Sequence, residues 1–168
     1  MNTQSSTHGS DDALLIAFAR AASQAQEIEA LLQEMLIAAE IANDTTNRSF
    51  EDIAAKIEKL PLGVLKAMFL AVVHVADPQF TKMWKEINEE RIFLMHKFFK
   101  AFPMTSNAER LAEATQRLAK IDALLDIGRR LLKDVRDRTY DQLNIPKAKL
   151  REFLEFVIDH RKKAKASE

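Results

Sequence analysis

Two long stretches of this chain repeat apolar residues at alternating intervals of four and three, and that spacing suits a helix and little else. Over 11–43 the positions are Leu14, Phe18, Ala21, Ala25, Ile28, Leu32, Met35, Ala39 and Ala42. Over 106–138 they are Leu111, Ala114, Leu118, Ile121, Leu125, Gly128, Leu132 and Val135. An α-helix turns by about 100° per residue, so each set forms one seam that a neighbouring helix must cover. The alanines of the first seam favour close helix approach. Gly128 on the second permits a close crossing or a kink. Both stretches read as struts able to pack antiparallel.

The remaining punctuation is also helical. Three glycines and four prolines in 168 residues leave little turn chemistry for β-hairpins. Ser10 or Asp11 is placed to cap the first strut. Ser49 with Asp52 resembles a capping box and opens a short helix through Lys59. Pro61 suits the first position of the apolar helix "PLGVLKAMFLAVVHVA". Asp77 and Pro78 read as cap and first position of a helix over 77–102, which stops before Pro103. Ser106 and Glu109 form an S-x-x-E capping box for the second strut. "TYDQLNIP" reads as a break. Pro146 starts a last helix with Leu150, Phe153, Leu154, Val157 and Ile158 as its stripe. The expectation is an all-α, up-down bundle of five to six helices. Its single domain covers 11–160, between a disordered tail at 1–10 and a basic, frayed tail at 161–168.

Lys plus Arg and Asp plus Glu number 25 each, so the formal net charge is zero. A general nucleic-acid or membrane-surface binder carries a basic excess, so no DNA partner is expected and RNA is only weakly supported. There is no cysteine, which removes disulfides, thiolate metal sites and cysteine nucleophiles. The polar start "MNTQSSTHGSDD" has no basic-plus-apolar leader, and runs such as "FLAVVHVA" fall far short of the roughly 20 residues that span a bilayer. No membrane association and a cytoplasmic location are expected. No G-x-G-x-x-G, P-loop or nucleophile elbow occurs, and no cofactor is expected.

One stretch departs from the pattern: "NEERIFLMHKFFK", Asn88 to Lys100. On a helical wheel Trp84, Ile87, Leu94 and Phe98 cluster within roughly 60° of Arg91, so the arginine sits on the core stripe. A buried arginine is costly alone, so it must pair, reach solvent or meet another chain. His96 lies roughly 140° away from it. Asn88 falls between them, and Ile92, Met95 and Phe99 fill the same arc. The helix therefore has a second apolar face, of the kind that usually contacts another helix or another subunit. Read as structure, Arg91 pairs with a carboxylate and His96 satisfies a backbone carbonyl.

Arg91 and His96, five residues apart in an amphipathic helix, resemble the Arg-x4-His signature of the HEPN superfamily. More narrowly, Leu62-Gly63-Val64-Leu65 and "RIFLMHKFF" (Arg91 to Phe99) are similar to two stretches of uncharacterised bacterial HEPN-like helical proteins. The resemblance spans about residues 12–140. It implies a helical bundle that dimerises through its motif helices. Catalytic members are metal-independent endoribonucleases, with Arg and His from both subunits in one cleft. There a histidine moves a proton at the 2′-hydroxyl or leaving oxygen, and an arginine neutralises phosphorane charge. Only Arg91 and His96 carry over by that resemblance; Asn88, which falls between them on the helix, is read as a supporting residue. Ile92 stands where catalytic members have a polar residue such as Asn, which favours a non-catalytic member.

Other constellations are weaker. Glu86, Glu89 and Glu90 lie near His96, but the paired Glu-x-x-His motifs of carboxylate bundles are absent, so no metal site is expected. His74 reads as a core or groove histidine, and His160-Arg161 as solvent-facing. Arg129, Arg130, Lys133 and Arg136 form a basic stripe, read as a solvated face rather than a phosphate-contact strip. The functional expectation is a non-catalytic helical interaction or regulatory domain of HEPN-like type, in a bacterial stress, defence or toxin–antitoxin system. It forms a homodimer through Asn88, Ile92, Met95 and Phe99, with another protein as a further partner. The alternative is the ribonuclease using Arg91 and His96.

Overall fold

The computed structural model describes residues 5–43, 48–60, 64–65, 67–69, 78–103, 107–142, 152–153, 155–156 and 159. Among these residues the protein is all-α, with no strand. The bounded helices are α1 (Ser5–Asn43), α2 (Phe50–Glu58), α3 (Pro78–His96), α4 (Phe98–Ala101) and α5 (Ala108–Gln142). Residues 64–65, 67–69, 152–153, 155–156 and 159 are also helical. The positions read above at Pro61 to Gly63, His74, Asp77, Ser106, Pro146, Leu150, Leu154, Val157, Ile158 and the 161–168 tail lie outside the described residues.

Local chemistry explains the starts of α2 and α5. Ser49 Oγ accepts from the Asp52 amide at 3.1 Å and donates to Asp52 Oδ2 at 2.8 Å, which caps α2 as expected. At α5 the observed cap is Asn107. Its Oδ1 accepts from the amides of Glu109 at 3.0 Å and Arg110 at 3.1 Å. Asn and Ser are equally good caps, so spacing alone does not choose between neighbours. Helix α1 starts at Ser5, upstream of Ser10 and Asp11. Helix α5 runs through the "TYDQ" read as a break and ends at Gln142. The helix read over 77–102 is interrupted: Lys97 (φ −125°, ψ −17°) separates α3 from α4.

Contacts group the chain into two compact units: Met1–Ile28 with Ala76–Leu131, and Glu29–Val75 with Leu132–Glu168. Helices α1 and α5 each contribute a segment to both. The first unit buries Leu14, Ala21, Ala25 and Ile28 of α1 and Ala114, Leu118, Ile121 and Leu125 of α5. From α3 and α4 it buries Trp84, Ile87, Leu94 and Phe98. A Cβ placed on Gly128 would stand 2.8 Å from Ile87 Cδ1, so the glycine serves a close crossing of α3 and α5. The second unit packs Leu36, Ile37, Ala38 and Ile41 of α1 against Ile53, Ala54 and Ile57 of α2, with Leu65 and Phe153.

Within the first unit the two long helices do not pack antiparallel. In the first unit Arg20 meets Asp122 at 2.7 Å and Glu27 meets Arg129 at 3.8 Å. Both partners step forward by seven residues, so α1 and α5 run in the same direction there. In the second unit Glu34 meets Arg136 at 3.7 Å. In the first unit the charge order is Arg, Glu on α1 and Asp, Arg on α5. A slip of one heptad would set Arg20 against Arg129 or Glu27 against Asp122, so the sign pattern opposes slips that the apolar repeat tolerates.

Candidate functional site

Helix α3 carries two apolar faces, and its surroundings treat them differently. Trp84, Ile87, Leu94 and Phe98 are buried, as the stripe reading requires. Ile92, Met95 and Phe99 form a second row and stay 38%, 39% and 38% exposed. Phe99 is held from the side by Phe18 of α1, ring centroids 4.6 Å apart, and Phe18 also touches Phe98 at 5.5 Å. Leu15, one turn before Phe18, is a further exposed apolar side chain. The break at Lys97 comes between His96, the last residue of α3, and Phe98, which is buried in the core. Lys97 nevertheless bonds the Phe93 carbonyl at 2.8 Å, and Ala101 bonds the Lys97 carbonyl at 2.9 Å.

The polar residues singled out in the sequence do not share one environment. Arg91 is half-buried with its Nε shielded from solvent, consistent with its place on the core stripe. His96 is exposed at the last position of α3, and Asn88 is half-buried. Arg91 and His96 therefore point into different surroundings in one chain. Glu90 is taken up elsewhere, in an ion pair with Arg117, whose guanidinium also lies 4.9 Å from the Phe93 ring centroid. Glu89 contacts the Lys85 ammonium at 3.8 Å, with both side chains largely exposed. Among the described residues no group of three or more His, Asp or Glu side chains is gathered as a metal site.

The basic stripe of α5 is an ion-pair network. Arg129 and Arg130 both bond the Asp126 carboxylate, the former at 2.7 Å. The Arg129 hydrogen bond, opposed by some desolvation and helped by Arg130, holds the Asp126 carboxyl below its ordinary range. The same bond raises Arg129, against desolvation and with help from Glu27. Burial lowers the Arg136 guanidinium, but Asp137, Glu34 and Tyr140 together outweigh it and raise its pKa overall.

Sequence reasoning missed the polar centre of the second unit. Glu34 is 5% exposed, and Tyr140 donates its hydroxyl to Glu34 Oε1 at 2.7 Å. The signal was a glutamate set between Leu31-Leu32 and the apolar run from Met35 to Ala39, in a chain with a single tyrosine. A small cavity nearby, about 130 Å³, is lined by Leu36, Ala39, Glu40, Asn43 and Met68. Its polar groups are engaged, Glu40 with Arg48 at 3.0 Å and the Asn43 amide with the Ala39 carbonyl at 2.8 Å.

Comparison with family models, curated proteins and solved structures finds no match for this chain. No described helix is long and apolar enough to cross a membrane.

Proposed function

We propose that this chain is a non-catalytic helical interaction module of HEPN-like type, which pairs with a second copy through the exposed ridge of α3 and α4. One observation carries the reading. Three large apolar side chains, Ile92 and Met95 of α3 and Phe99 of α4, stand exposed in a row beside the stripe of Trp84, Ile87, Leu94 and Phe98, which is buried. An exposed apolar row of this kind marks a contact site more often than a solvated surface. Ile92 at its centre also removes the polar neighbour that the catalytic version of the motif carries beside its arginine. The setting that fits such a module is a bacterial stress, defence or toxin–antitoxin system, in the cytoplasm, with a further protein as the regulated partner.

The exposure of His96 beside the ridge favours one competing reading, a metal-independent endoribonuclease in which Arg91 and His96 act with Asn88 in support. The test is cleavage of a mixed single-stranded RNA pool in EDTA by wild type and His96→Ala, with mass measured in the same samples. A folded dimer that leaves the RNA intact is the expected result. Cleavage that disappears in a still-dimeric His96→Ala protein overturns the interaction reading in favour of the nuclease.

A further inference from the structure

We infer that self-pairing through this ridge is antiparallel and is oriented by Glu89 and His96, each facing the other residue on the second copy. The inference rests on the reading of the ridge as a self-association face. Asn88, Ile92 and Met95 follow one another on α3 at intervals of four and three, the seam spacing of two helices packed side by side, and Phe99 of α4 continues the row past Lys97. Turned end for end about a two-fold axis between Ile92 and Met95, the ridge complements itself. Ile92 falls opposite Met95 of the second copy, and Asn88 opposite Phe99.

Glu89 and His96 each follow a ridge residue by one position, so both lie on the same flank, seven residues apart. An antiparallel pair brings that flank against its own counterpart with direction reversed. Glu89 then meets His96 of the second copy, and the contact occurs twice by symmetry. A parallel pair would instead set Glu89 level with Glu89, with no opposite partner at either end. Both side chains are exposed and free to turn toward a neighbour. The Lys85 contact on Glu89 is an exposed pair at 3.8 Å, of the weak class that a better-placed partner displaces. An imidazole N–H is a competent donor to a carboxylate. Phe18 and Leu15 extend the apolar area beside Phe99, which a ridge of one helix needs to hold a dimer. The inference gives His96 a role as an orienting residue.

The test is sedimentation equilibrium on the full chain as wild type, Glu89→Lys, His96→Glu and the double variant, with helicity checked by circular dichroism. Each single variant is expected to weaken its own dimer about tenfold, since Glu89→Lys removes both carboxylate acceptors and His96→Glu sets two carboxylates against Glu89. The double variant, and an equimolar mixture of the two singles, are expected to pair as tightly as wild type. Single variants that dimerise with wild-type affinity overturn the Glu89–His96 orientation and leave the ridge reading standing. Weakening without recovery in the mixture overturns it equally. A wild type that stays monomeric while folded sinks both the orientation and the self-association reading.

Discussion

Phe98 and Phe99 are neighbours of the same residue type, yet one is core and the other is surface. Phe98 is 1% exposed and touches Phe18, Phe93 and Phe102; Phe99 keeps more than a third of its surface in solvent. The same contrast runs along α3, where Trp84, Ile87 and Leu94 are covered while Ile92 and Met95 are not. Hydropathy is nearly equal on the two faces. What separates them is that α1 and α5 occupy one side, with Gly128 letting α5 approach Ile87 closely. An apolar stripe thus states a demand for cover, and the position of other helices decides whether the chain itself meets it.

Substitutions sharpen this contrast in order of expected size. Phe98→Ala leaves a cavity in a filled core and is expected to cost about 3–5 kcal/mol of stability in urea unfolding. Gly128→Val forces β-branched bulk toward Ile87 and is expected to cost about 1–3 kcal/mol, with part recovered when Ile87→Ala is added. Phe99→Ala loses one side of the Phe18 contact and is expected to cost about 1 kcal/mol, while abolishing self-association. A cost equal to that of Phe98→Ala would erase the distinction between the faces. Met95→Lys is expected to shift stability by less than about 0.5 kcal/mol and still give a monomer by light scattering.

The smallest effect concerns Asp126. Its carboxyl titrates below the unfolded value because Arg129 and Arg130 bond the charged form. Its contribution is therefore complete above the ordinary carboxylate range, roughly pH 4, and fades as pH falls through the lower folded value. The stability gap between wild type and Asp126→Asn should close in that acidic window, and a gap that persists at lower pH contradicts the assignment.

Much of the fold was legible because its signals are local. The capping of α2 by Ser49, the Pro78 start of α3 and the core stripe around Trp84 and Leu94 follow from residue type and helical period. Gly128 was legible as either a close crossing or a kink, and its contact with Ile87 decides for the crossing. The C-terminal part of α1 shows the limit of seam reading. Leu31, Leu36, Ile37 and Ala38 are buried off the predicted seam because the second unit packs around that segment on several sides. Tyr140 continues α5 through an apparent break because its hydroxyl bonds the buried Glu34 carboxylate, a contact 106 residues away in sequence.

The amino-acid sequence by itself determined an all-α protein, the faces of its helices and the residues able to form a contact site. Those properties depend on backbone period, caps and side-chain polarity, all fixed within a few turns. The tertiary structure alone decided that α1 and α5 run parallel in the first unit's contacts, that α3 breaks at Lys97, that Arg91 is half-buried while His96 stays exposed, and that the Ile92–Met95–Phe99 row remains uncovered. Each of these depends on which distant side chains arrive at a surface, and a repeat that reads the same after every seven residues cannot specify that.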